Sequence, residues 1–347
     1  MIFDSESVFE ENVITVLKQH GWKDGVLRYP TERDLLDNWK GILYRNNNDI
    51  DRLGKYPLTD GEMTQIIEQI ETLRTPLALN SFVNGRTVSI TRDNKEDVAH
   101  FGKEVSLYIY DRKEIAGGKS TYQIAQQPVY PAKNKMLNSR RGDLVLLING
   151  MPLIHIELKK SGIPVSQATN QIEKYAHEGV FTGLFRLVQI FVAMNPDDAV
   201  YFANPGVDKF NPSYYFHWAD YNNEPICGGQ NPGKDEWKLF IGGTSGTAGL
   251  LSIPMAHQLI GFYTIADSAD GCLKVLRSYQ YIAANAISDV VRKCDWEQRP
   301  ATPGRPGGYV WHTTGSGKTM TSFKSAQLIA DSHDADKVVF LMDRIEL

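Results

Sequence analysis

Residues Gly142–Lys160, GDLVLLINGMPLIHIELKK, hold two apolar runs joined by Asn149-Gly150 and bounded by charge at their outer ends. Asn-Gly between apolar runs signals a hairpin, because the favoured two-residue turns need positive φ, which these residues tolerate best. Both runs read as buried strands. Yet Asp143 opens the first and Glu157-Leu158-Lys159 closes the second. Charge at the edge of a core costs several kcal/mol unless it is compensated.

Glu157 and Lys159 are two apart, so they share one strand face. A plain two-residue loop would set Asp143 against Ile156, on the wrong face. A three-residue loop centred on Gly150, which Pro152 favours, or a bulge sets it opposite Glu157. The expectation is that Asp143, Glu157 and Lys159 converge at one end of the sheet. Two facing carboxylates repel each other and suit a hard cation; with the Leu158 carbonyl and waters they offer oxygen ligands for Mg²⁺. Such an ion polarises a phosphodiester oxygen and acidifies a bound water, while the Lys159 ammonium balances developing charge. The spacing taken by itself also fits a surface-ended strand with incidental ion pairing.

Around this pair the chain reads as α/β. Apolar spacing over Glu6–His20, Glu32–Tyr44, Asp60–Leu73 and Pro164–His177 predicts helices, the first capped by Asp4 or Ser5. RTVSITR, VSLYIYD, TYQIAQQPVY, RLVQIFVAMN and AVYFANP predict strands. On the helix after the hairpin, Gln171 and Tyr175 share a face, where an amide and a phenol suit a phosphate or the DNA backbone. The glycine-rich IGGTSGTAGLLSIP (Ile241–Pro254) marks a boundary, giving domains 1–245 and 246–347. Beyond it come helical patterns to about Lys293, then a Pro/Gly-rich loop. The end predicts strand YVWH, loop TTGSGK, helix TMTSFKSAQLIADS and strand KVVFLMD.

WHTTGSGKT (Trp311–Thr319) has the form of a phosphate loop that opens a helix. Backbone N–H groups of Gly315, Ser316, Gly317, Lys318 and Thr319 would cradle the β/γ phosphates of ATP. Lys318 would pair with their oxygens, and the Thr319 hydroxyl would ligate Mg²⁺.

RGDLVLLINGMPLIHIELKK followed by QATNQIEKYAHEG resembles the nuclease domain of type I restriction enzyme R (HsdR) subunits, which carry NG-L-P-L-x-x-x-E-x-K and then a Gln-x-x-x-Tyr helix. The resemblance implies a PD-(D/E)xK restriction-endonuclease-like fold, a mixed sheet flanked by helices. It places Asp143, Glu157 and Lys159 on the catalytic positions and Gln171 and Tyr175 on the extra motif. A first-helix glutamate often joins such sites; Glu10 is the choice, with Glu6 and Glu11 as rivals. Gly142 stands where the superfamily's nominal proline would. His312 replaces the first glycine of a strict Walker A pattern, as in superfamily 2 motors. Gln280, 38 residues before Lys318, and Arg277 resemble an adenine-reading Q motif, although a helical-core or surface role fits those residues equally. KVVFLMDRIEL resembles the family's next strand, and no acidic Asp-Glu-x-His box follows. The expectation is an incomplete RecA-like (P-loop) domain, the front of a longer protein.

The function implied is the restriction subunit of a type I restriction–modification enzyme. It would cut double-stranded DNA with Mg²⁺ after ATP-driven translocation, beside modification (methyltransferase) and specificity subunits. A DNA-repair or type III-like nuclease–helicase fusion is the runner-up, and a catalytically silent DNA-binding scaffold is the third reading. The formal charge of −4 excludes DNA binding by bulk attraction, so contacts must come from partners or from a local patch such as Lys133, Lys135, Arg140 and Arg141. Three scattered cysteines, no signal peptide and no long apolar stretch point to a reducing cytoplasm and no membrane.

Overall fold

The computed structural model describes residues 2–115, 117–130, 140–229, 235–269, 271–293 and 308–341. Helix α1 (Glu6–Gln19) begins where Ser5 accepts the Val8 N–H at 3.3 Å, and Phe9, Val13, Ile14 and Leu17 form its buried stripe. A short strand, β1 (Val26–Arg28), precedes α2 (Glu32–Asn46) and α3 (Asp60–Thr72). Capping boxes open both helices, Thr31 with Asp34 and Thr59 with Glu62. Then come α4 (Pro76–Asn84) and the hairpin of β2 (Thr87–Thr91) and β3 (Glu104–Tyr108), whose alternating burial leaves one face to solvent.

The remaining strands of the main sheet are β4 (Tyr122–Gln126), β5 (Leu144–Ile148), β6 (Met151–Leu158) and, after α5 (Val165–Glu178), β7 (Ile190–Met194) and β8 (Ala199–Ala203). Every residue of these five strands is buried. Six strands run in the order β1-β4-β5-β6-β7-β8; β1/β4 and β6/β7 are parallel and the other pairs antiparallel. This is the mixed α/β architecture expected. Helix α5 lays Ala168 and Ile172 on Phe191, Ala193 and Phe202. His155 and Glu157 pair with Phe191 and Ala193, so they lie on the face that α5 covers.

Helices α6 (Glu236–Gly242) and α7 (Met255–Gly261) lead to a hairpin of β9 (Thr264–Asp267) and β10 (Cys272–Val275), then to α8 (Ser278–Lys293) and α9 (Lys318–Ser332). The chain forms two compact units, Met1–Asp220 with Glu224–Val275, and Tyr221–Asn223 with Leu276–Leu347. The glycine-rich stretch read as a boundary lies inside the first. Leu250 and Leu251 are fully buried there, Trp22 Nε1 donates to the Leu251 carbonyl at 2.6 Å, and the Ile253 N–H donates to the His20 carbonyl at 2.8 Å. Its small residues let the backbone lie close under α1; a Cβ on Gly242 would sit 2.3 Å from the His20 ring.

Two expected strands do not form among the described residues. Tyr309–His312 and 337–341 are irregular, with Tyr309 89%, Trp311 87% and Val339 85% exposed. A strand needs a neighbour to hold its backbone groups, and the second unit contains no strand among its described residues. The last two residues of the expected KVVFLMD strand lie outside the described residues, as do Lys133, Lys135 and Cys294. Hairpin β9–β10 stands between α7 and α8, where the sequence pattern predicts helices and no strand. No described helix is long and apolar enough to cross a membrane.

Candidate active site

The geometry of the charged strand ends begins in the turn. Asn149 (φ 52) and Gly150 (φ 84) both take left-handed backbone, so the loop has two residues and Ile148 pairs with Met151. The next pair is Leu147 with Pro152, and the one after it Leu146 with Ile154. Leu153 is therefore an extra, bulged residue, placed beside a proline that has no N–H to give the ladder. Of the two routes foreseen, the bulge rather than the three-residue loop corrects the register. Leu144 pairs with Ile156, and Asp143, one position further, stands opposite Glu157.

Backbone and side-chain bonds hold this arrangement. Asp143 Oδ2 accepts the Leu158 N–H at 2.7 Å, and the Asp143 carbonyl accepts the Gln127 N–H at 2.7 Å. Lys159 Nζ lies 3.6 Å from Glu157 Oε1 and 3.6 Å from Glu6 Oε1. It also donates to the Leu158 carbonyl at 2.8 Å, so one lone pair of the carbonyl expected to ligate a metal is taken by the lysine. Glu10 is the buried glutamate of α1, 2% exposed, and accepts from the side-chain amides of Gln126 and Gln127. Burial raises its pKa above the usual carboxylate value, and the Asp143 charge adds to the rise. Its rivals stay near the site: Glu6 reaches Lys159, while Glu11 accepts from Gln126 at 2.9 Å and pairs with Arg28 at 2.7 Å.

Glu157 is fully buried, and neither carboxylate oxygen accepts a hydrogen bond from the described residues. Burial raises its pKa to about 7 against the pull of Lys159. Burial and the Glu157 charge together raise Asp143 well above the ordinary aspartate value. The two carboxyls thus share a site in which both are costly to ionise, and a cation would relieve that cost. No group of three or more His, Cys, Asp or Glu side chains is arranged to hold a metal among the described residues. Asp143 and Glu157 suit a single hard ion whose other ligands are water and carbonyl oxygen, as Mg²⁺ commonly takes.

Four neighbours escaped the sequence reading. His155 lies in the Glu157 strand with no exposure; Tyr130 Oη is 2.8 Å from its Nδ1, and its Nε2 approaches Glu157 Oε2 to 3.3 Å. Burial lowers its pKa to about 4, so the imidazole is neutral at physiological pH. Its spacing of two from Glu157 was the signal that they share a face. Gln126 and Gln127 reach Glu10 from the end of β4, and Gln127 takes φ 48, which no local sequence signal announces. Gln171 and Tyr175 do meet: Gln171 Nε2 donates to Tyr175 Oη at 2.7 Å, and the phenol donates to the Arg141 carbonyl at 2.8 Å. The pair braces the segment that leads into Asp143.

The second unit carries the glycine loop. Gly315 (φ 76) and Gly317 (φ 79) turn the chain into α9, which has no side-chain cap, so its first-turn N–H groups suit an anion. Lys318 Nζ donates to the Thr313 carbonyl at 3.1 Å, and Thr319 is exposed. Gln280 Oε1 accepts the Arg277 N–H at 2.9 Å, and its Nε2 donates to the Ser316 and Gly317 carbonyls at 3.2 and 3.3 Å. Arg277 donates to Tyr279 Oη, which donates to the Ser316 carbonyl. Gln280 therefore ties α8 to the loop.

Comparison with known proteins matches residues 4–210 to the family described as type I restriction enzyme R protein N terminus, and residues 279–347 to SWI2/SNF2 ATPase. A type I restriction enzyme endonuclease subunit from Staphylococcus saprophyticus is 31% identical over 355 residues, covering 100% of this chain and 32% of the relative. One from Staphylococcus aureus strain MSSA476 is 32% identical over 349 residues, with 100% and 32% covered. The type I restriction enzyme EcoprrI endonuclease subunit of Escherichia coli is 26% identical over 321 residues, with 89% and 90% covered. The chain spans about a third of the length of the two staphylococcal relatives.

Proposed function

The chain belongs to the type I restriction enzyme R protein family, and from that premise we propose that its first unit is a PD-(D/E)xK-type nuclease that cuts double-stranded DNA with Mg²⁺. The observation that carries this reading is Glu157, a fully buried carboxylate without a hydrogen-bond partner among the described residues, facing Asp143 with the Lys159 ammonium beside it. Asp143 and Glu157 would hold the ion, with the free lone pair of the Leu158 carbonyl and water completing its shell. When bound, Mg²⁺ supplies an acidified water and polarises a phosphodiester oxygen. Lys159 places a proton donor where negative charge builds on the phosphate. Glu10, held by Gln126 and Gln127, keeps a third carboxyl at the site's edge. Gln171 and Tyr175 fix the approach to Asp143.

The second unit, on this reading, is the front of a RecA-like motor lobe. Gly315–Thr319 would bind the ATP phosphates, Lys318 would exchange the Thr313 carbonyl for them, and Thr319 would ligate Mg²⁺. Arg277 and Gln280 would read adenine, Gln280 by exchanging its bonds to the loop. The names of the relatives support a complex with modification and specificity subunits, and the net charge of −4 suits a chain that leaves sequence recognition to a partner.

The test is plasmid cleavage by the assembled enzyme with ATP and Mg²⁺. Glu157→Gln and Lys159→Ala should each slow double-strand cleavage by roughly 10²–10³-fold or more while ATP hydrolysis continues. Cleavage at the wild-type rate in either variant would remove the nuclease assignment.

A further inference from the structure

The basic patch seen in the sequence divides at two adjacent arginines. Arg140 is neutralised by Glu178, which accepts from its Nε and Nη2 at 2.8 Å each. Arg28, near the same edge of the sheet, is taken up by Glu11 and Gln126. Arg141 is exposed, and no carboxylate pairs with it among the described residues. Its backbone is nevertheless fixed on two sides, by a bridge to Val129 and by the Tyr175 hydroxyl on its carbonyl. Its guanidinium lies 5.8 Å from the ring centroid of Tyr29.

Tyr29 is unusual in its own right. It is 51% exposed and takes φ 54, a conformation that a bulky side chain adopts only under constraint. Its N–H is bonded to the Gln126 carbonyl at 2.8 Å, which ties it to the row of strand ends. By register that row runs Tyr29, Gln127, Asp143, Glu157. Two strand spacings, roughly 10 Å, thus separate Tyr29 from Asp143. Held 5.8 Å from a ring whose backbone lies in that row, a weakly hydrated guanidinium on a fixed backbone, with no carboxylate partner among the described residues, suits a DNA phosphate outside the carboxylate pair.

We infer that Arg141, held against the ring of Tyr29, is a phosphate-binding residue for the DNA strand that crosses Asp143 and Glu157. The inference rests on the nuclease reading and adds a backbone contact outside the metal site. As a phosphate contact it contributes affinity and register without sequence preference.

The test is fluorescence anisotropy of a labelled 20-base-pair duplex with this chain, in a Glu157→Gln background that suppresses cleavage, over a salt series. Arg141→Ala should weaken binding and reduce the slope of log K against log salt by about 1 on two unrelated duplexes. Arg141→Lys should restore the slope with incomplete affinity, which excludes misfolding as the cause. Tyr29→Leu should keep the slope and weaken binding a few-fold, and Arg140→Ala should change the slope by less than half as much as Arg141→Ala. An unchanged slope in Arg141→Ala, or equal changes for the two arginines, overturns this inference alone. No duplex binding by the Glu157→Gln chain likewise overturns this inference, while the nuclease reading stands or falls on plasmid cleavage by the assembled enzyme.

Discussion

Asp143 stands opposite Glu157 because the β5–β6 register passes over Leu153. Without that bulge the two carboxylates would lie on opposite faces of the sheet, and no shared ion could bridge them. The hairpin that fixes the register is therefore part of the site, although its turn lies at the other end of the strands.

Gly150 should tolerate no side chain. It holds φ 84, and a Cβ there would lie 2.9 Å from the Trp39 Cα. Gly150→Ala is expected to cost about 2 kcal/mol or more, from the left-handed backbone and the clash together. Urea unfolding measures this, and a midpoint equal to that of wild type would contradict the turn described.

Stability should depend on pH through Glu157. Its pKa is about 7 folded, against an ordinary value of 4.5, so between those values the folded chain binds more protons than the unfolded one. Stability must then fall as pH rises through that window, and the loss is complete above the folded pKa. In thermal melts with EDTA from pH 5.5 to 8, the wild-type Tm should decline more steeply than that of Glu157→Gln. Mg²⁺ should raise the wild-type Tm more at pH 8 than at pH 5.5. Parallel profiles for the two proteins would show that Glu157 is not the group responsible.

Tyr175→Phe removes the proton donor to the Arg141 carbonyl and the acceptor for Gln171. Loss of these bonds is expected to cost about 1–2 kcal/mol and to slow DNA cleavage without changing the Mg²⁺ concentration needed for half-maximal rate. A shift in that Mg²⁺ requirement would place Tyr175 at the metal rather than behind Asp143.

The glycine loop gives a separate prediction. Gly317 holds φ 79, and a Cβ would lie 2.4 Å from Gln280 Nε2. Gly317→Ala should weaken Mg·ATP binding at least about tenfold in calorimetric titration, with Lys318→Ala comparable, since both disturb the phosphate cradle. Retained affinity in both variants would leave the loop without a nucleotide role.

Much of this was legible in local sequence. Asn149-Gly150 announced its turn, and the period-two spacing of Glu157 and Lys159 announced a shared face, because those signals depend on neighbouring residues alone. Whether a bulge or a longer loop would correct the register was not legible; packing of Gly150 against Trp39 and of Pro152 in the ladder decides it. Gln127 reaches Glu10 only through a positive φ that glutamine does not advertise. Tyr309–His312 and 337–341 have strand composition but no described strand beside them, so composition alone misled. The glycine-rich stretch looked like a linker, yet its small residues serve close packing under α1.

The central claim is that Asp143 and Glu157 together hold one divalent ion which Lys159 helps to exploit. Calorimetric titration of the chain with Mn²⁺ at pH 8, with no nucleotide present, tests it without relying on cleavage. Wild type should bind one ion at the strand ends, Asp143→Asn and Glu157→Gln should abolish that binding, and Lys159→Ala should retain it. Unchanged binding in both carboxylate variants would contradict the shared site.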